Sequence, residues 1–205
     1  MSRTELVTGG ARSGKSAFAE ARAAELAARG DGARPVVYIA TAVVTDEEMR
    51  ERVAHHRDRR PSGWGTLEAP MALGAALGEA AAAGGVVLVD CLAVWASNRL
   101  LDLGEPDVDA AVPRSLWRSR AADLERALAE ELDGGIDAAI AHDADLVLVT
   151  NEVGLGLVPP TPLGRAYRDL LGRLNQRTAT RAHAVHLVVA GIAVDLRQLS
   201  QPRKG

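Results

Sequence analysis

The chain has 205 residues, of which 47% are apolar and 25% are charged, proportions that exclude a disordered or fibrous protein. Lys and Arg total 24 and Asp and Glu total 27, so the formal net charge is −3. With no basic excess and only 3% aromatic residues, we expect no nucleic-acid partner. The length predicts a single domain over residues 1–205.

The cysteine count and the terminal sequence bear on the compartment. Cys91 is the single cysteine, which excludes an internal disulfide and a cysteine-rich zinc site and favours a reducing compartment. The N-terminal sequence MSRTELVTGG lacks the apolar run of a signal peptide. Nowhere does an uncharged apolar stretch of about 18 residues predict a membrane span. We therefore expect a cytoplasmic protein.

Short apolar runs rich in Val and Ile alternate with segments of helical spacing. In chain order, the predicted elements are strand Leu6–Thr8, helix Ser16–Arg29, strand Val36–Ala40, helix Asp46–His56, a helix within Ala69–Gly85, strand Val86–Val89, helix Leu116–Leu132, strand Leu146–Thr150, helix Arg165–Arg181 and strand Val185–Ala190. Strands without polar alternation are typical of a parallel sheet that is buried on both faces. The sequence therefore predicts an α/β fold with a mostly parallel central sheet flanked by helices, and long loops at Asp102–Pro113 and Gly154–Pro162.

Residues 9–16, GGARSGKS, match the phosphate-loop pattern GxxxxGK[ST] in full, between a predicted strand and a predicted helix. Glycines let main-chain N–H groups approach phosphate oxygens, and the helix adds the positive end of its dipole. Lys15 is suited to the β- and γ-phosphates, and Ser16 to Mg²⁺. The predicted nucleotide-binding residues are Gly9, Gly10, Ala11, Arg12, Ser13, Gly14, Lys15 and Ser16. A plain glycine turn before a helix is the alternative.

Asp90 ends the apolar run VVLVD, and a carboxylate in that position often accompanies a phosphate loop. It is a candidate for Mg²⁺ or for the nucleotide. Many strands end in Asp without a functional role, so this prediction depends on the phosphate loop.

A second unusual segment, residues 46–61, is a charged helix that runs into two histidines and a cluster of arginines. His55 and His56 are adjacent and would point about 100° apart on a helix, so the two imidazoles cannot easily share one role. Neighbouring arginines would attract phosphate and favour a neutral, nucleophilic imidazole. A solvated helix with two surface histidines explains the same residues, and chemistry alone favours that explanation.

The chain resembles the bifunctional adenosylcobinamide kinase/adenosylcobinamide-phosphate guanylyltransferase family of cobalamin biosynthesis. The matching blocks are residues 6–16, 38–42, 46–61 with Trp64, 88–92 with Trp95 and Asn98, and 149–159 with later matches at Arg168-Asp169, Gly172 and Asn175-Gln176. GGARSGKS, HHRxxRP and TNEVGLGxVP together are highly specific. Residues 101–135 match nothing in the family that can be aligned, so no functional residue is assigned there.

The resemblance implies a RecA-type P-loop fold and a homotrimer. It implies phosphorylation of adenosylcobinamide with ATP or GTP, followed by GMP transfer from GTP to the resulting phosphate. His56 matches the histidine that carries the GMP, and Lys15 would hold the leaving pyrophosphate. Further nucleotide contacts are implied for Thr41, Ala42, Val43, Arg59, Arg60, Pro61 and Asp90. Ser16 and Asp90 would hold Mg²⁺, and Asp90 is equally suited to the guanine base.

Two other functions are compatible with the phosphate loop. One is a small-molecule kinase that lacks guanylyltransferase activity, in which both histidines would be ordinary surface residues. The other is a regulatory module that uses the nucleotide for switching. Asn151 and Glu152 should lie near the site, because they follow a strand at the edge where α/β proteins bind ligands. Cys91 is predicted to pack in the core. Trp64, Trp95 and Trp117 are predicted to pack in the core or at a subunit interface rather than to contact the corrin, and His183 and His186 to be structural.

Overall fold

Seven strands form one sheet in the computed structural model, which describes residues 2–29, 32–43, 47, 60–104 and 114–200. The strands are β1 (Thr4–Gly9), β2 (Val36–Ala40), β3 (Gly65–Glu68), β4 (Val86–Asp90), β5 (Asp145–Val149), β6 (Ala184–Val189) and β7 (Ile192–Asp195). Their order is β3-β2-β4-β5-β1-β6-β7, and only β7 is antiparallel to its neighbour. The predicted α/β class and mostly parallel sheet are confirmed.

The five predicted strands are all present, with ends that move by one or two residues. β5 is buried at every position, and β4 is buried at all but Asp90. Both strands lie in the middle of the sheet, which explains why their sequences are continuous apolar runs. Because β1, β2, β4 and β5 are parallel, their carboxyl ends lie at the same edge of the sheet.

Two edge strands were not predicted. β3 has a mostly exposed four-residue sequence, GTLE, and is recognisable as a strand only from its pairing with β2. β7 follows β6 through a two-residue turn in which Ala190 and Gly191 have φ of 51° and 80°. Two positive φ values are typical of a tight hairpin turn. The predicted strand Val185–Ala190 therefore ends one residue too late, inside this turn.

The helices of the described residues are α1 (Lys15–Ala27), α2 (Leu73–Ala82), α3 (Leu92–Leu101), α4 (Arg114–Ala141), α5 (Pro162–Arg181) and α6 (Leu196–Ser200). α1 packs on β4, β5 and β1, whereas α2 to α5 pack against one another as well as against the sheet. The helix predicted within Ala69–Gly85 is confirmed as α2. Of the helix predicted over Asp46–His56, Glu47 alone belongs to the described residues. α3 and α6 were not predicted.

The helix predicted over Leu116–Leu132 is too short, because α4 continues through Gly134 and Gly135. Two glycines in sequence normally weaken a helix. Here Gly135 lies against α2, and an added Cβ would come within 2.3 Å of Leu77 Cδ1. Close packing of two helices, rather than chain flexibility, explains this glycine.

The tryptophans and the cysteine pack in or against the core. Trp95 and Trp117 are 0% and 4% exposed, and Trp64 packs against the core while partly exposed. Cys91 is buried, and burial raises the pKa of its thiol to about 11, so the thiol is neutral at physiological pH. None of the helices in the described ranges is long and apolar enough to cross a membrane.

Candidate active site

The predicted phosphate loop connects the end of β1 to the start of α1, so it lies at the positive end of the helix dipole, where an anion is favoured. Arg12 and Gly14 have φ of 56° and 94°, and the main chain turns sharply at both residues before the helix begins. Lys15 is the first residue of α1, and its Nζ donates to the carbonyl oxygen of Gly10 at 3.1 Å. The ammonium group is therefore held back over the loop, where phosphate oxygens can replace the carbonyl.

The turn between β6 and β7 packs against the phosphate loop. The N–H of Gly191 donates to the carbonyl oxygen of Ser13 at 2.8 Å. A Cβ at Gly9 would lie 2.4 Å from the carbonyl oxygen of Val188, and one at Gly14 would lie 3.2 Å from Gly191 Cα. Gly9 is thus required by main-chain packing as well as by phosphate approach, which the motif alone does not reveal.

Asp90 lies at the carboxyl end of β4, with β5 between it and the strand that carries the phosphate loop. The Tyr38 hydroxyl donates to Asp90 Oδ2 at 3.0 Å. The guanidinium carbon of Arg60 lies 3.3 Å from the centre of the Tyr38 ring, a cation–π contact. Burial raises the pKa of Tyr38 and the Asp90 carboxylate raises it further, so Tyr38 remains a hydrogen-bond donor. Sequence reasoning assigned no role to Tyr38.

The residues that follow β2 reach the same edge of the sheet. Thr41 is fully buried, and its hydroxyl bonds both the N–H and the carbonyl oxygen of Cys91 at 2.8 Å. Asn98 Nδ2 donates to the carbonyl oxygen of Thr41 at 2.9 Å. The Thr41 side chain therefore joins the ends of β2 and β4. Ala42 is half-buried and Val43 is 44% exposed, and the nucleotide contacts predicted for these three residues stay predictions.

The loop after β5 begins in contact with the phosphate loop. The N–H of Glu152 donates to the carbonyl oxygen of Gly9 at 3.1 Å. Thr150 donates from its hydroxyl to Asn175 Oδ1 at 2.7 Å, and Asn175 Nδ2 donates to the carbonyl oxygen of Asn151 at 3.0 Å. α5 thus fixes the start of the loop, and Asn151 and Glu152 lie beside the site as their strand-end position predicted.

The side-chain oxygens of Ser16 and Asp90 are suitable ligands for Mg²⁺. A hydroxyl and a carboxylate are hard oxygen ligands, and Mg²⁺ is commonly held by one or two protein oxygens together with substrate phosphates and water. Within the described ranges, His, Cys, Asp and Glu form no group of three or more that could hold a metal.

The histidine segment is only partly described. His56, His55 and Arg59 lie outside the described residues, and Pro61 is exposed. Arg60 is half-buried in its stack on Tyr38, so the end of the segment reaches the Asp90 side of the sheet.

Two further histidines, His183 and His186, contact β1 rather than the phosphate loop. His183 Nδ1 accepts from the N–H of Thr4 at 3.0 Å, and His186 Nε2 lies 3.2 Å from Glu5 Oε2. Arg22 also bonds the Glu5 carboxylate, through Nη2 at 2.7 Å. Burial by itself would raise the pKa of Glu5, but hydrogen bonds from His186 and Arg22 outweigh it and hold the pKa at about 2. These contacts agree with the structural roles predicted for both histidines.

A phosphate loop after β1 and a carboxylate at the end of β4, on a mostly parallel sheet, define a P-loop nucleotide-binding protein. The model of the family described as "Cobinamide kinase / cobinamide phosphate guanyltransferase" matches residues 5–196, and the chain belongs to that family. It is therefore a bifunctional transferase of the class that the sequence resemblance predicted.

Three relatives agree with this assignment. The chain is 42% identical over 193 residues to the "Bifunctional adenosylcobalamin biosynthesis protein CobU" of Salmonella typhimurium, and 42% identical to the CobU protein of Escherichia coli. Each alignment covers 94% of this chain and 98% of the relative. The "Bifunctional adenosylcobalamin biosynthesis protein CobP" of Pseudomonas aeruginosa is 44% identical over 94% of this chain and 96% of the relative.

Proposed function

We propose that one nucleotide site, between the phosphate loop and Asp90, serves two successive reactions. In the first, the hydroxyl oxygen of the adenosylcobinamide side arm attacks the γ-phosphorus of ATP or GTP, the bond to the β-phosphate oxygen breaks, and the hydroxyl proton is released. The observation that carries this proposal is the full phosphate loop with Lys15 held over it, on a chain of the cobinamide kinase family.

In the second reaction, a nitrogen of the neutral His56 imidazole attacks the α-phosphorus of GTP. The bond to the β-phosphate oxygen breaks, and pyrophosphate leaves with its charge opposed by the Lys15 ammonium. An oxygen of adenosylcobinamide phosphate then displaces the imidazole, giving adenosyl-GDP-cobinamide. Family membership and the HHRxxRP sequence support this role for His56.

The other predicted site residues bind the phosphates, the base or the metal. The N–H groups of residues 9–16 bind phosphate, Asp90 binds either the guanine N–H groups or the metal, and Arg59, Arg60 and Pro61 lie along the nucleotide with Thr41, Ala42 and Val43. Mg²⁺, held by Ser16 and the phosphates, and by Asp90 if that carboxylate does not bind guanine, would supply charge neutralisation of the triphosphate.

Protein labelling from GTP tests the transferase step. Incubation with GTP labelled at the α-phosphate should give label bound to the protein that is lost in acid and retained in base, as expected for a phosphorus–nitrogen bond. His56→Ala should abolish the label, and His55→Ala is the matched control that should keep it. Absence of label in the wild type, or its retention in His56→Ala, contradicts the GMP-histidine step and leaves a kinase without guanylyltransferase activity.

We also propose a homotrimer in the cytoplasm, where ATP and GTP are available to both reactions. Sedimentation equilibrium of the purified chain tests the trimer, and fractionation of the producing cells tests the compartment. A monomer, or recovery with the exported proteins, contradicts the respective proposal.

A further inference from the structure

Two leucines in the loop after β5 are almost entirely exposed. Leu155 is 89% exposed and Leu157 is 96% exposed, the highest values among the large apolar side chains of the described residues. Val158, next in sequence, is 65% exposed. Apolar side chains clustered in water at a functional edge are typical of a surface that binds something apolar, because burying them is favourable.

The position of this loop relates it to the phosphate site. β5 lies between β4, which ends in Asp90, and β1, which leads to the phosphate loop. The loop therefore leaves the sheet between these two groups, and the bond from Glu152 N–H to the Gly9 carbonyl oxygen attaches its start to the phosphate loop. Ligands of parallel α/β sheets bind outside these carboxyl ends.

The loop is anchored at both ends while its apolar side chains face solvent. At the start, Asn175 Nδ2 of α5 donates to the carbonyl oxygen of Asn151 at 3.0 Å. At the end, Arg165 Nη1 donates to the carbonyl oxygens of Pro159 and Pro160 at 2.9 and 2.7 Å, and Thr161 caps α5. A ligand that binds here has less loop entropy to overcome than it would on an unanchored segment.

We propose that Leu155, Leu157 and Val158 form the surface on which the corrin ring of the cobinamide substrates lies in both reactions. This inference rests on the proposed function, which requires the acceptor's side arm to reach a phosphate held between Asp90 and the phosphate loop. A corrin ring carries methyl groups among its amide side chains, and packing these methyl groups on an apolar surface beside that phosphate is favourable. Trp95 and Trp117 are buried and cannot supply it.

Equilibrium dialysis tests the loop without requiring turnover. The binding of adenosylcobinamide is measured from its visible absorption, with a non-hydrolysable ATP analogue present. We expect saturable binding to the wild type and at least about tenfold weaker binding to Leu155→Ser/Leu157→Ser, since two apolar contacts are lost. In the kinase assay, the variant should show the same rise in KM for the corrinoid, with kcat within about twofold.

The matched control is Ile140→Ser/Leu199→Ser, which removes two exposed apolar side chains (49% and 69% exposed). Ile140 shortly precedes the start of β5 and Leu199 follows the antiparallel β7, so both lie toward the opposite edge of the sheet. It should bind like the wild type. Equal affinity of the loop variant and the wild type, or no binding by the wild type, overturns the proposal. A changed sedimentation coefficient in the loop variant also overturns it, because the loop would then be a contact between copies of the chain. If the wild type binds but does not turn over, the proposed function fails while the loop assignment stands.

Discussion

Tyr38 and Asp90 join two neighbouring parallel strands through their side chains near the nucleotide edge. The Tyr38 hydroxyl donates to Asp90 Oδ2 at 3.0 Å, although Tyr38 is paired in register with Leu88. The tyrosine ring therefore reaches two residues along β4, while the Arg60 guanidinium covers its face. A carboxylate that accepts one fixed hydrogen bond keeps its remaining oxygen in a defined direction, as a nucleotide or metal contact requires.

Tyr38→Phe should disorient Asp90 while leaving the fold intact. We expect a loss of about 1 kcal/mol in the free energy of unfolding and a fall of about tenfold in kcat/KM for both reactions. Urea unfolding and steady-state kinetics measure the two effects. Tyr167→Phe is the control, because the Tyr167 hydroxyl donates at 3.2 Å to the carbonyl oxygen of Ala93 and, in the described part of the chain, to no carboxylate. Equal kinetic effects in both variants would contradict the positioning role of Tyr38.

Gly9→Ala should damage the phosphate loop through main-chain contact. The added Cβ would meet the Val188 carbonyl oxygen at 2.4 Å, and neither main chain can move without disturbing the β1–β6 pairing. We expect a loss of at least about 2 kcal/mol in the free energy of unfolding, measured by urea titration. Gly10→Ala has open space around the added carbon and should lose less than about 1 kcal/mol. Similar losses in the two variants would show that the contact with β6 is unimportant.

Lys15→Met should separate catalysis from folding. The side chain is half-exposed, and among the described residues its ammonium bonds the Gly10 carbonyl oxygen alone, so stability should change by less than about 0.5 kcal/mol. Loss of the charge that opposes developing phosphate charge should lower kcat/KM at least about a hundredfold in both reactions. Thermal unfolding and the two assays check this. Activity near that of the wild type would remove Lys15 from the mechanism.

Glu5 should make stability depend on pH in the acid range. Its pKa is lowered from 4.5 to about 2 in the folded chain, so its contribution is complete above pH 5 and is lost as pH falls toward 2. The groups facing it are Arg22, His186 and, at 3.7 Å, Arg3. Glu5→Gln should be less stable than the wild type at pH 6. This difference in the free energy of unfolding should shrink by about 2 kcal/mol between pH 6 and pH 3.

Urea titrations at several pH values follow this difference. Glu25→Gln is the control, because the exposed Glu25 carboxylate also bonds Arg22. The Glu25→Gln deficit should stay nearly constant over the same range, since an exposed ion pair contributes little. A constant deficit for Glu5→Gln would show that its ion pairs do not stabilise the folded state.

Local sequence determined the central strands, most helices and the phosphate loop. Strands buried on both faces are dominated by apolar residues, so β1, β2, β4, β5 and β6 were recognisable without a structure. The loop was equally plain, because close phosphate approach demands glycines and a lysine at fixed spacing. The short edge strands β3 and β7 need no continuous apolar sequence, and they are recognisable only from their pairing with a neighbouring strand.

The tertiary structure decided which distant residues meet at the site. Nothing near Tyr38 in the sequence indicates that its hydroxyl bonds Asp90, and nothing near Gly9 indicates that Val188 excludes a side chain there. The same holds for the exposed leucines 155 and 157, which become informative only once β5 lies between the phosphate loop and Asp90. Periodicity and motifs reflect the local requirements of one segment at a time. Contacts between segments depend on the order of the strands in the sheet, which no single segment of the sequence determines.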